Sequence, residues 1–505
     1  MLDRKKVLEK LKDAKPWDMV VIGGGATGLG IAVDAAHRGY RVVLLEKNDF
    51  AKGTSSKSTK LVHGGVRYLA QGNFKLVVEA LRERGFLLKN APHLTKVQYF
   101  VIPVYSRFYQ WFYGLGLLLY ELLAGKLSLG KTKILGKQAT LDRLPGIRQK
   151  GLKGGILYAD GQFDDARMAI TLALTATTQG ALVINYFPVT KLLKNDGKIV
   201  GVEGRDELTG DHYAIPTRVV INATGVFADR VLSMDQPNTT PLVMPSQGVH
   251  LVVHESVFPA RDALMIPKTK DGRVLFAVPW QDAVVIGTTD TRLDQITDEP
   301  AALEKEIQFI LDQFNRYREK PIGRSDIQSV FAGLRPLVYT AGLANTAKAS
   351  RDHTILQSDS GLISIVGGKW TTYRKMAQDV VDLAAQKFGL PAVKCRTKHL
   401  KLHGTSKNSL LEQLITENPH LAKRIHPDYP YTEAEVVWAV RYEMALHIED
   451  ILARRSRLLV INARAALAAA PRVAALMARE LENGQQWEQQ QLEAFHQLAK
   501  TWLAA

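Results

Sequence analysis

The stretch DMVVIGGGATGLGIAVDAAHRGYRVVLLEKNDF, from Asp18 to Phe50, predicts how the fold begins. An apolar run, Met19 to Ile22, stops at three consecutive glycines, and the segment after them has a helical pattern that closes at Gly39. This order is typical of a strand, a tight turn and a helix. The stretch therefore predicts the opening unit of an α/β sheet that binds a nucleotide.

The residues of this turn have separate roles in a nucleotide cradle. Gly23 permits the tight turn, Gly25 lets the backbone approach a pyrophosphate, and Gly28 lets helix and strand pack closely. The start of the helix, with Ala26 and Thr27, presents free N–H groups to phosphate charge. We therefore expect dinucleotide binding here, and an ordinary β–α turn is the alternative.

The strand that follows, RVVLLE, ends in an acidic residue, Glu46. A carboxylate about 20 residues after the glycines can bind both hydroxyls of an adenosine ribose, and it repels a 2′-phosphate. FAD and NAD both fit such a cradle, so the choice between them depends on residues elsewhere in the chain.

Two downstream segments favour FAD over a nicotinamide. The segment RVVINATGVFAD, residues 218–229, is another apolar strand that ends in a glycine turn, and GLISIVGGKWTTYRKMAQDVV, residues 361–381, is again strand, glycine pair and helix. Three separated segments that converge on one sheet suit an extended, tightly held FAD better than a transient nicotinamide. The residues expected to face the cofactor at these turns are Ala223, Gly225, Gly368, Thr371 and Thr372.

Composition limits the class of protein. A chain of 505 residues, 46% of them apolar, supports two or three domains. The single cysteine, Cys395, excludes a disulfide framework, and no His/Cys cluster has the spacing of a metal site, so no metal is expected. The charged start, MLDRKKVLEK, lacks the apolar centre of a secretion signal, which predicts a cytoplasmic protein.

A net charge of +16 indicates an anionic partner, which can be nucleic acid, anionic lipid or a phosphorylated metabolite. The aromatic, apolar stretch Phe108 to Ala124 is too polar to cross a bilayer, and residues 122–154 around its end carry eight Lys or Arg against one Asp. This pattern predicts interfacial contact with an anionic membrane, and the alternative is a buried helix beside a solvated basic loop. Aromatic and basic residues are not interleaved as single-stranded nucleic acid requires, so no nucleic-acid partner is expected.

The expected fold class is α/β with α+β insertions. The runs GVHLVVH, RVLFAVPW and AVVIGTTDT predict an antiparallel substrate sheet, and helical periodicity after residue 391, interrupted by Pro471, predicts a helical domain whose Arg454, Arg455 and Arg457 add to a positive face. The predicted units are a basic N-terminal segment (1–16), a discontinuous Rossmann-like, two-dinucleotide-binding FAD domain (17–80, 150–235 and 330–390), a substrate or cap domain (81–149 and 236–329, with the membrane-contact region 108–154) and a C-terminal helical domain (391–505).

Five motifs in order give the sequence a family resemblance over nearly the whole chain. It resembles the FAD-dependent, quinone-linked glycerol-3-phosphate dehydrogenases. The motifs are GTSSKSTKLVHGGVRYL within residues 53–94, FAGLRPL (Phe331–Leu337), SRDHTI (Ser350–Ile355), GGKWTTYRK (Gly367–Lys375) and VRYEMALHIEDILARRSRL (Val440–Leu458).

The resemblance implies oxidation of sn-glycerol 3-phosphate to dihydroxyacetone phosphate, with hydride transfer to flavin N5 and electron transfer to a membrane quinone. It also implies peripheral attachment to the cytoplasmic membrane. One alternative is a glycerol-3-phosphate oxidase that reduces O2 to H2O2. Another, from a different class, is a basic RNA-binding flavoprotein. Whether the protein forms a homodimer is left open. The FAD contacts that the resemblance adds are Lys47, Ser58, Thr59, Lys60, His63, Val189 and Lys369.

A phosphorylated substrate calls for several cations, because hydrogen bonds to charged groups contribute about 1.5 to 3 kcal/mol each. By resemblance, the residues that surround the phosphate are Arg67, Tyr68, Arg351 and Lys369.

The reacting hydroxyl needs a base, and an arginine is a poor one because it stays protonated, whereas a histidine can accept a proton. By resemblance Arg335 lies at the hydroxyl and His250 lies over the flavin. We expect His250 to be the base, assisted by Arg335, while His63 tunes the flavin; which histidine is the base stays open.

Overall fold

The computed structural model describes residues 2–69, 72–339, 352–405 and 409–504, except for the side chains of Arg67 and Ser409. The strands in this part of the chain are β1 (Trp17–Ile22), β2 (Val42–Leu45), β3 (Leu61–Val62), β4 (Thr95–Val104), β5 (Lys133–Leu135), β6 (Gly154–Phe163), β7 (Leu182–Ile184), β8 (Val189–Asn195), β9 (Lys198–Arg205), β10 (His212–Asn222), β11 (Val243–His254), β12 (Ala263–Ile266), β13 (Leu275–Trp280), β14 (Ala283–Gly287), β15 (Thr291–Arg292), β16 (Ile327–Val338), β17 (His353–Gln357) and β18 (Ile363–Gly367). The helices are α1 (Arg4–Leu11), α2 (Ala26–His37), α3 (Val66–Leu69), α4 (Phe74–Asn90), α5 (Arg107–Ala124), α6 (Lys137–Arg143), α7 (Asp165–Thr178), α8 (Ala228–Asp235), α9 (Glu304–Asn315), α10 (Tyr373–Lys387), α11 (Ser409–Glu417), α12 (Glu433–Glu443), α13 (Leu458–Ile461), α14 (Ala463–Glu480) and α15 (Gln485–Lys500).

The first sheet has a parallel centre. Its strand order is β17-β18-β10-β1-β2-β7; β1 pairs in parallel with both β2 and β10, and β10 pairs in parallel with β18. Parallel strands covered on both faces are near-continuous apolar runs, and the four residues of β2 are all buried. The carboxyl ends of β1, β2, β10 and β18 therefore meet at one edge of this sheet.

Two glycines of α2 allow the helix to approach its neighbours closely. A Cβ atom at Gly28 would lie 1.9 Å from the carbonyl oxygen of Gly23, and one at Gly30 would lie 2.8 Å from the ring of Tyr373 on α10. Any larger residue at Gly28 would push the helix away from the turn that precedes it. This contact accounts for the role predicted for Gly28 from the sequence.

The second sheet is mostly antiparallel and has the strand order β15-β11-β14-β13-β12-β4-β6-β3, with β16 on the other side of β11 and β5 beside β6. The pairing of β4 with β12 is parallel. The register of β11 and β16 sets His250 opposite Phe331 and Ser246 opposite Arg335. Two motifs far apart in the sequence are thereby brought side by side.

The C-terminal helices share a core with the second sheet. Phe331 of β16 stacks on Trp502, with ring centroids 5.9 Å apart. The predicted interruption at Pro471 is wrong, because α14 continues from Ala463 to Glu480 through the proline. Buried alanines on both sides of Pro471 hold the helix against its neighbours, and this packing outweighs one lost backbone hydrogen bond.

The prediction that Arg454, Arg455 and Arg457 form a positive surface is also wrong, because all three are buried. Arg454 contacts Asp49 at 2.5 Å and Arg457 contacts Asp165 at 2.7 Å. Buried charges need such partners, and these partners lie about 300 or more positions upstream in sequence.

The domain boundaries drawn from the sequence remain a prediction.

Candidate active site

A cavity of about 430 Å³ opens where the carboxyl ends of β1, β2, β10 and β18 meet. Ligands of open α/β sheets bind at this edge. The residues that the sequence assigns to the cofactor and that line this first cavity are Gly23, Gly25, Ala26, Thr27, Glu46, Lys47, Val189, Ala223, Gly225, Gly368 and Lys369.

Two glycines at this edge permit a backbone conformation and close contacts that a side chain would prevent. A Cβ atom at Gly23 would lie 2.7 Å from the carbonyl oxygen of Ala223, and Gly23 has a φ of +110°, which L side chains rarely adopt. At Gly25 a Cβ atom would lie 3.1 Å from Ser55 Oγ. Bare backbone therefore forms the floor of the cavity at the start of α2, which fits a pyrophosphate.

Backbone hydrogen bonds hold the carboxylate of Glu46 at the wall of the first cavity. Its Oε2 accepts from the Gly24 N–H at 2.5 Å, and its Oε1 accepts from the Asn48 N–H at 2.8 Å. Burial raises the pKa of the Glu46 carboxyl, although both N–H donors act in the opposite direction. The carboxylate is thus fixed where the sequence predicts ribose hydroxyls.

A second cavity, of about 170 Å³, lies beside the first. Arg335 lines both cavities and so stands between them. Its Nη2 donates to Thr288 Oγ1 at 3.1 Å and to the Thr289 carbonyl at 2.9 Å, and its Nη1 lies 3.7 Å from Asp290 Oδ1. These contacts fix a guanidinium at the junction of the two spaces.

His63 and Tyr68 also line the second cavity. The His63 N–H donates to Thr371 Oγ1 at 3.1 Å, which ties the HGG turn to the segment after β18. Lys369 Nζ lies 3.9 Å from the centre of the Tyr68 ring. Tyr68 and Lys369 are therefore adjacent. Arg351 and the side chain of Arg67 lie outside the described residues.

His250 is buried and lines neither cavity. Its Nε2 lies 2.9 Å from Thr59 Oγ1, and its ring stacks on Phe331 with centroids 4.7 Å apart. Burial lowers the pKa of His250 well below its usual value, and the positive charges of Lys60 and Arg335 lower it further. His250 is therefore neutral at physiological pH.

Ser58 and Lys60 face a buried carboxylate rather than either cavity. Lys60 Nζ lies 2.8 Å from Asp165 Oδ2, the Ser58 hydroxyl donates to the same oxygen at 2.7 Å, and Arg457 pairs with Oδ1. Burial, followed by the charge of Arg457, lowers the pKa of Lys60 to about 8. Thr59, between them in sequence, lines the second cavity.

Thr371 and Thr372 are buried beneath the turn after β18. Thr372 Oγ1 donates to the Lys369 carbonyl at 3.3 Å, so its hydroxyl holds the turn that carries Lys369. Neither threonine lines the first or the second cavity. Their side chains thus support the cavity walls from behind.

Several residues of the two cavities were missed by sequence reasoning. Ser55 accepts a hydrogen bond from the Ala26 N–H at 2.9 Å, and Asp160 and Arg273 line the second cavity. Arg273 precedes the strand-like run VLFAVPW. A cation at the start of a strand was the sequence feature that could have marked it as a candidate site residue. Asp160 lies inside the buried strand β6, where nothing in the local pattern marks it.

Helix α5 exposes its apolar face. Phe108 is 72% exposed, Trp111 63%, Leu115 64% and Leu122 75%. The alternative of a buried helix is therefore wrong, because only the opposite face, with Leu117 and Tyr120, packs inward. None of the described helices combines the length and apolarity that a membrane crossing requires.

The part of the chain that the structure describes contains no group of three Asp, Glu, His or Cys side chains that could hold a metal ion.

Comparison with known proteins gives matches along nearly all of the chain. The model of the FAD dependent oxidoreductase family matches residues 18–374, and that of the C-terminal domain of alpha-glycerophosphate oxidase matches residues 360–491. The mitochondrial glycerol-3-phosphate dehydrogenase of Mus musculus is 39% identical over 97% of this chain and 74% of its own length. The corresponding probable enzyme of Dictyostelium discoideum is 39% identical, with 96% and 84% covered.

Among solved structures, the glycerol-3-phosphate dehydrogenase from Bacillus halodurans, complexed with FAD, superimposes with a TM-score of 0.79. It is 30% identical to this chain and covers 99% of it, and this chain covers 97% of that structure. The match confirms the fold class predicted from the sequence.

Proposed function

Because the chain belongs to the family of FAD-dependent glycerol-3-phosphate dehydrogenases, we propose that it oxidises sn-glycerol 3-phosphate to dihydroxyacetone phosphate and passes the electrons to a membrane quinone. FAD is the cofactor of this family, and the first cavity has the open glycine floor that its pyrophosphate needs. The observation that carries the proposal is the position of Arg335, which lines both the first and the second cavity.

The residues of the first cavity would hold FAD. The start of α2 and its glycines would bind the pyrophosphate, and Glu46 would bind the ribose hydroxyls. Lys47 and Val189 also line this cavity. FAD, when bound, supplies a hydride acceptor in its flavin ring.

The second cavity would hold the substrate, with its phosphate toward the cations. Lys369 lines the first cavity, and its Nζ lies over the ring of Tyr68, which lines the second, so it would contact the phosphate beside Tyr68. Arg273 supplies a guanidinium within the second cavity. Arg67 and Arg351 remain proposed ligands from the resemblance. A lysine acts on phosphate as a point charge and an arginine as a planar fork, so the set suits a phosphate monoester.

Arg335 would act on the reacting hydroxyl. Its guanidinium is held by Thr288 and Thr289, so it needs no rearrangement to stabilise the negative charge that develops on the substrate oxygen. The neutral His250 would accept the hydroxyl proton, and His63 would remain beside the reacting centre in the second cavity.

The exposed face of α5 supports a membrane-bound reaction with quinone. Aromatic side chains such as Phe108 and Trp111 favour the interface of a bilayer, and each basic residue near an anionic leaflet contributes about 1 kcal/mol. Residues 122–154, which include the end of α5 and the segment after it, carry eight basic side chains. A quinone dissolved in the bilayer would then be within reach of an enzyme attached to its surface.

The proposal is tested by anaerobic reduction of the flavin in the FAD-loaded protein. Glycerol 3-phosphate should bleach the flavin absorbance, whereas glycerol should do so only at far higher concentration because it lacks the phosphate. An unchanged spectrum with glycerol 3-phosphate would refute the substrate. A comparison of quinone reduction with peroxide yield separates the dehydrogenase from an oxidase.

The variant Lys369→Met tests the proposed phosphate contact. Its dissociation constant for glycerol 3-phosphate should rise about 10-fold or more, since a hydrogen bond to a charged group contributes about 1.5 to 3 kcal/mol. The constant for glycerol should stay near the wild-type value. Lys398→Met, a lysine that lines neither cavity, is the matched control.

A further inference from the structure

We propose that Thr59 is a catalytic residue whose hydroxyl carries the substrate proton from the second cavity to His250. The proposal rests on the function proposed above. Thr59 lines the second cavity and His250 does not, and Thr59 Oγ1 lies 2.9 Å from His250 Nε2. Among the described residues, this hydroxyl is the group that joins the histidine to the cavity.

The two residues that flank Thr59 are both anchored to one carboxylate, Ser58 by its backbone and Lys60 by its side chain. The Ser58 N–H donates to Asp165 Oδ2 at 3.0 Å, and Lys60 Nζ lies 2.8 Å from the same oxygen. Asp165 is itself buried at the start of α7. Thr59 is therefore held in place by its two neighbours and does not depend on a flexible loop.

The ring of His250 is also held in place by its neighbours. It stacks on Phe331 with an interplanar angle of 14°, and a Cβ atom at Gly287 on the paired strand β14 would lie 2.3 Å from its Cδ2. Its Nδ1 has no hydrogen-bond partner among the described residues. The ring cannot turn toward the second cavity without losing these contacts, so its Nε2 meets the cavity through Thr59.

The proton transfer balances as a concerted step. The substrate O–H bond breaks and its proton moves to Thr59 Oγ1, while the hydroxyl proton of Thr59 moves to His250 Nε2. The carbon-bound hydrogen leaves as hydride to FAD, the oxidant of the family's activity, and the carbon–oxygen double bond forms. Thr59 ends unchanged, and His250 ends as an imidazolium.

The electrostatic surroundings set the protonation state of His250 before the reaction. Lys60 and Arg335 are positive charges near the ring, and Asp165 is the opposing negative charge. Burial and the two cations keep the imidazole neutral before the reaction, so Nε2 has its lone pair available. In that state Thr59 donates its hydrogen bond and Nδ1 carries the ring proton.

The variants Thr59→Val and Thr59→Ser test the proposal in the FAD-loaded enzyme. Valine keeps the shape of threonine without the hydroxyl, and serine keeps the hydroxyl. We expect Thr59→Val to slow anaerobic flavin reduction by about 100-fold or more, the usual scale of general acid–base catalysis, and Thr59→Ser to restore the rate to within a few-fold. The dissociation constant of glycerol 3-phosphate should change little in both.

A reduction rate of Thr59→Val close to wild type would overturn the relay, because a base such as His63 would then reach the substrate directly. An equal loss in both variants would also overturn it, since serine retains the hydroxyl.

A second readout does not depend on turnover. The ¹⁵N spectrum of histidine-labelled protein, with His250→Gln to assign the signal, should show His250 Nε2 unprotonated, and Thr59→Val should shift that signal. An Nε2–H tautomer would overturn the relay even if the enzyme is active. A wild-type enzyme that glycerol 3-phosphate does not reduce would instead refute the proposed function, and the tautomer would still decide the hydrogen bond.

Discussion

The Tyr120 hydroxyl accepts a hydrogen bond from the Gly64 N–H at 2.7 Å and donates one to Asp160 Oδ2 at 2.7 Å. Tyr120 lies on the inner face of α5, whose outer face is apolar and exposed. Gly64 directly follows His63, and Asp160 lines the second cavity. The helix that we propose to contact the membrane therefore supports the turn beside the substrate.

We predict that Tyr120→Phe raises KM for glycerol 3-phosphate by about 10-fold while kcat changes little. The change leaves the Gly64 N–H without its acceptor, and a buried donor left unsatisfied costs about 1–3 kcal/mol. The turn that carries His63 then loses its fixed position, so substrate binding suffers first. Steady-state kinetics with quinone as acceptor, at matched FAD content, measures the effect.

The control for this variant is Tyr113→Phe on the same helix. Tyr113 lies two turns before Tyr120 on the same face of α5, and its ring stacks with that of Tyr109. Equal losses of kcat and FAD content in Tyr120→Phe would mean that the tyrosine only stabilises the fold.

A second prediction concerns the close approach at Gly28. Gly28→Ala should abolish FAD retention, because its Cβ would lie 1.9 Å from the Gly23 carbonyl oxygen and would displace the start of α2. Gly116→Ala is the matched control, since apart from its own helix no atom of the described residues lies within 4 Å of its added Cβ. The flavin absorbance of the purified proteins reports the result, and normal flavin content in Gly28→Ala would contradict this account of the cradle.

These residues show what the sequence could and could not predict. The cradle around Gly23 and Glu46 follows from consecutive residues, because one strand, one turn and one helix fix its geometry. Tyr120 and Asp160 come together only through the packing of α5 on β6, and no local pattern records that contact. Lys60 was expected to contact the cofactor. Its partner Asp165 is 105 positions away in sequence, so the local pattern could not predict which way the Lys60 side chain points.

The membrane-contact region is a second case in which the sequence alone left the side-chain environment undecided. The sequence of Phe108 to Ala124 left a buried helix and an interfacial helix equally open, because both have an apolar stripe. Only the packing of Leu117 and Tyr120 showed which face is inside. The exposed face then follows from the helical period.

A third prediction tests this face directly. Phe112→Glu combined with Leu115→Glu should weaken binding to vesicles that contain anionic phosphatidylglycerol, because both side chains are exposed on α5. Anaerobic flavin reduction in solution should stay near wild type. Leu208→Glu, a similarly exposed leucine in a turn between β9 and β10, is the matched control. Vesicle sedimentation measures binding. Unaltered binding of the double variant would show that α5 does not contact the membrane.

The last prediction concerns stability in acid, which depends on Glu449. Burial alone would raise the pKa of its carboxyl, but Arg454 at 2.7 Å and Lys52 at 2.9 Å lower it to about 2 from the ordinary 4.5. A carboxyl with a lowered pKa in the folded state stabilises the protein fully above about pH 4.5 and loses that contribution as the pH falls toward 2. Glu449→Gln should therefore lower the free energy of unfolding at pH 7 by about 1–3 kcal/mol and flatten its pH dependence between 4.5 and 2. Urea unfolding at a series of pH values measures both effects, with the exposed Glu493→Gln as control. An unchanged pH dependence in Glu449→Gln would show that the ion pairs with Arg454 and Lys52 contribute no net stability.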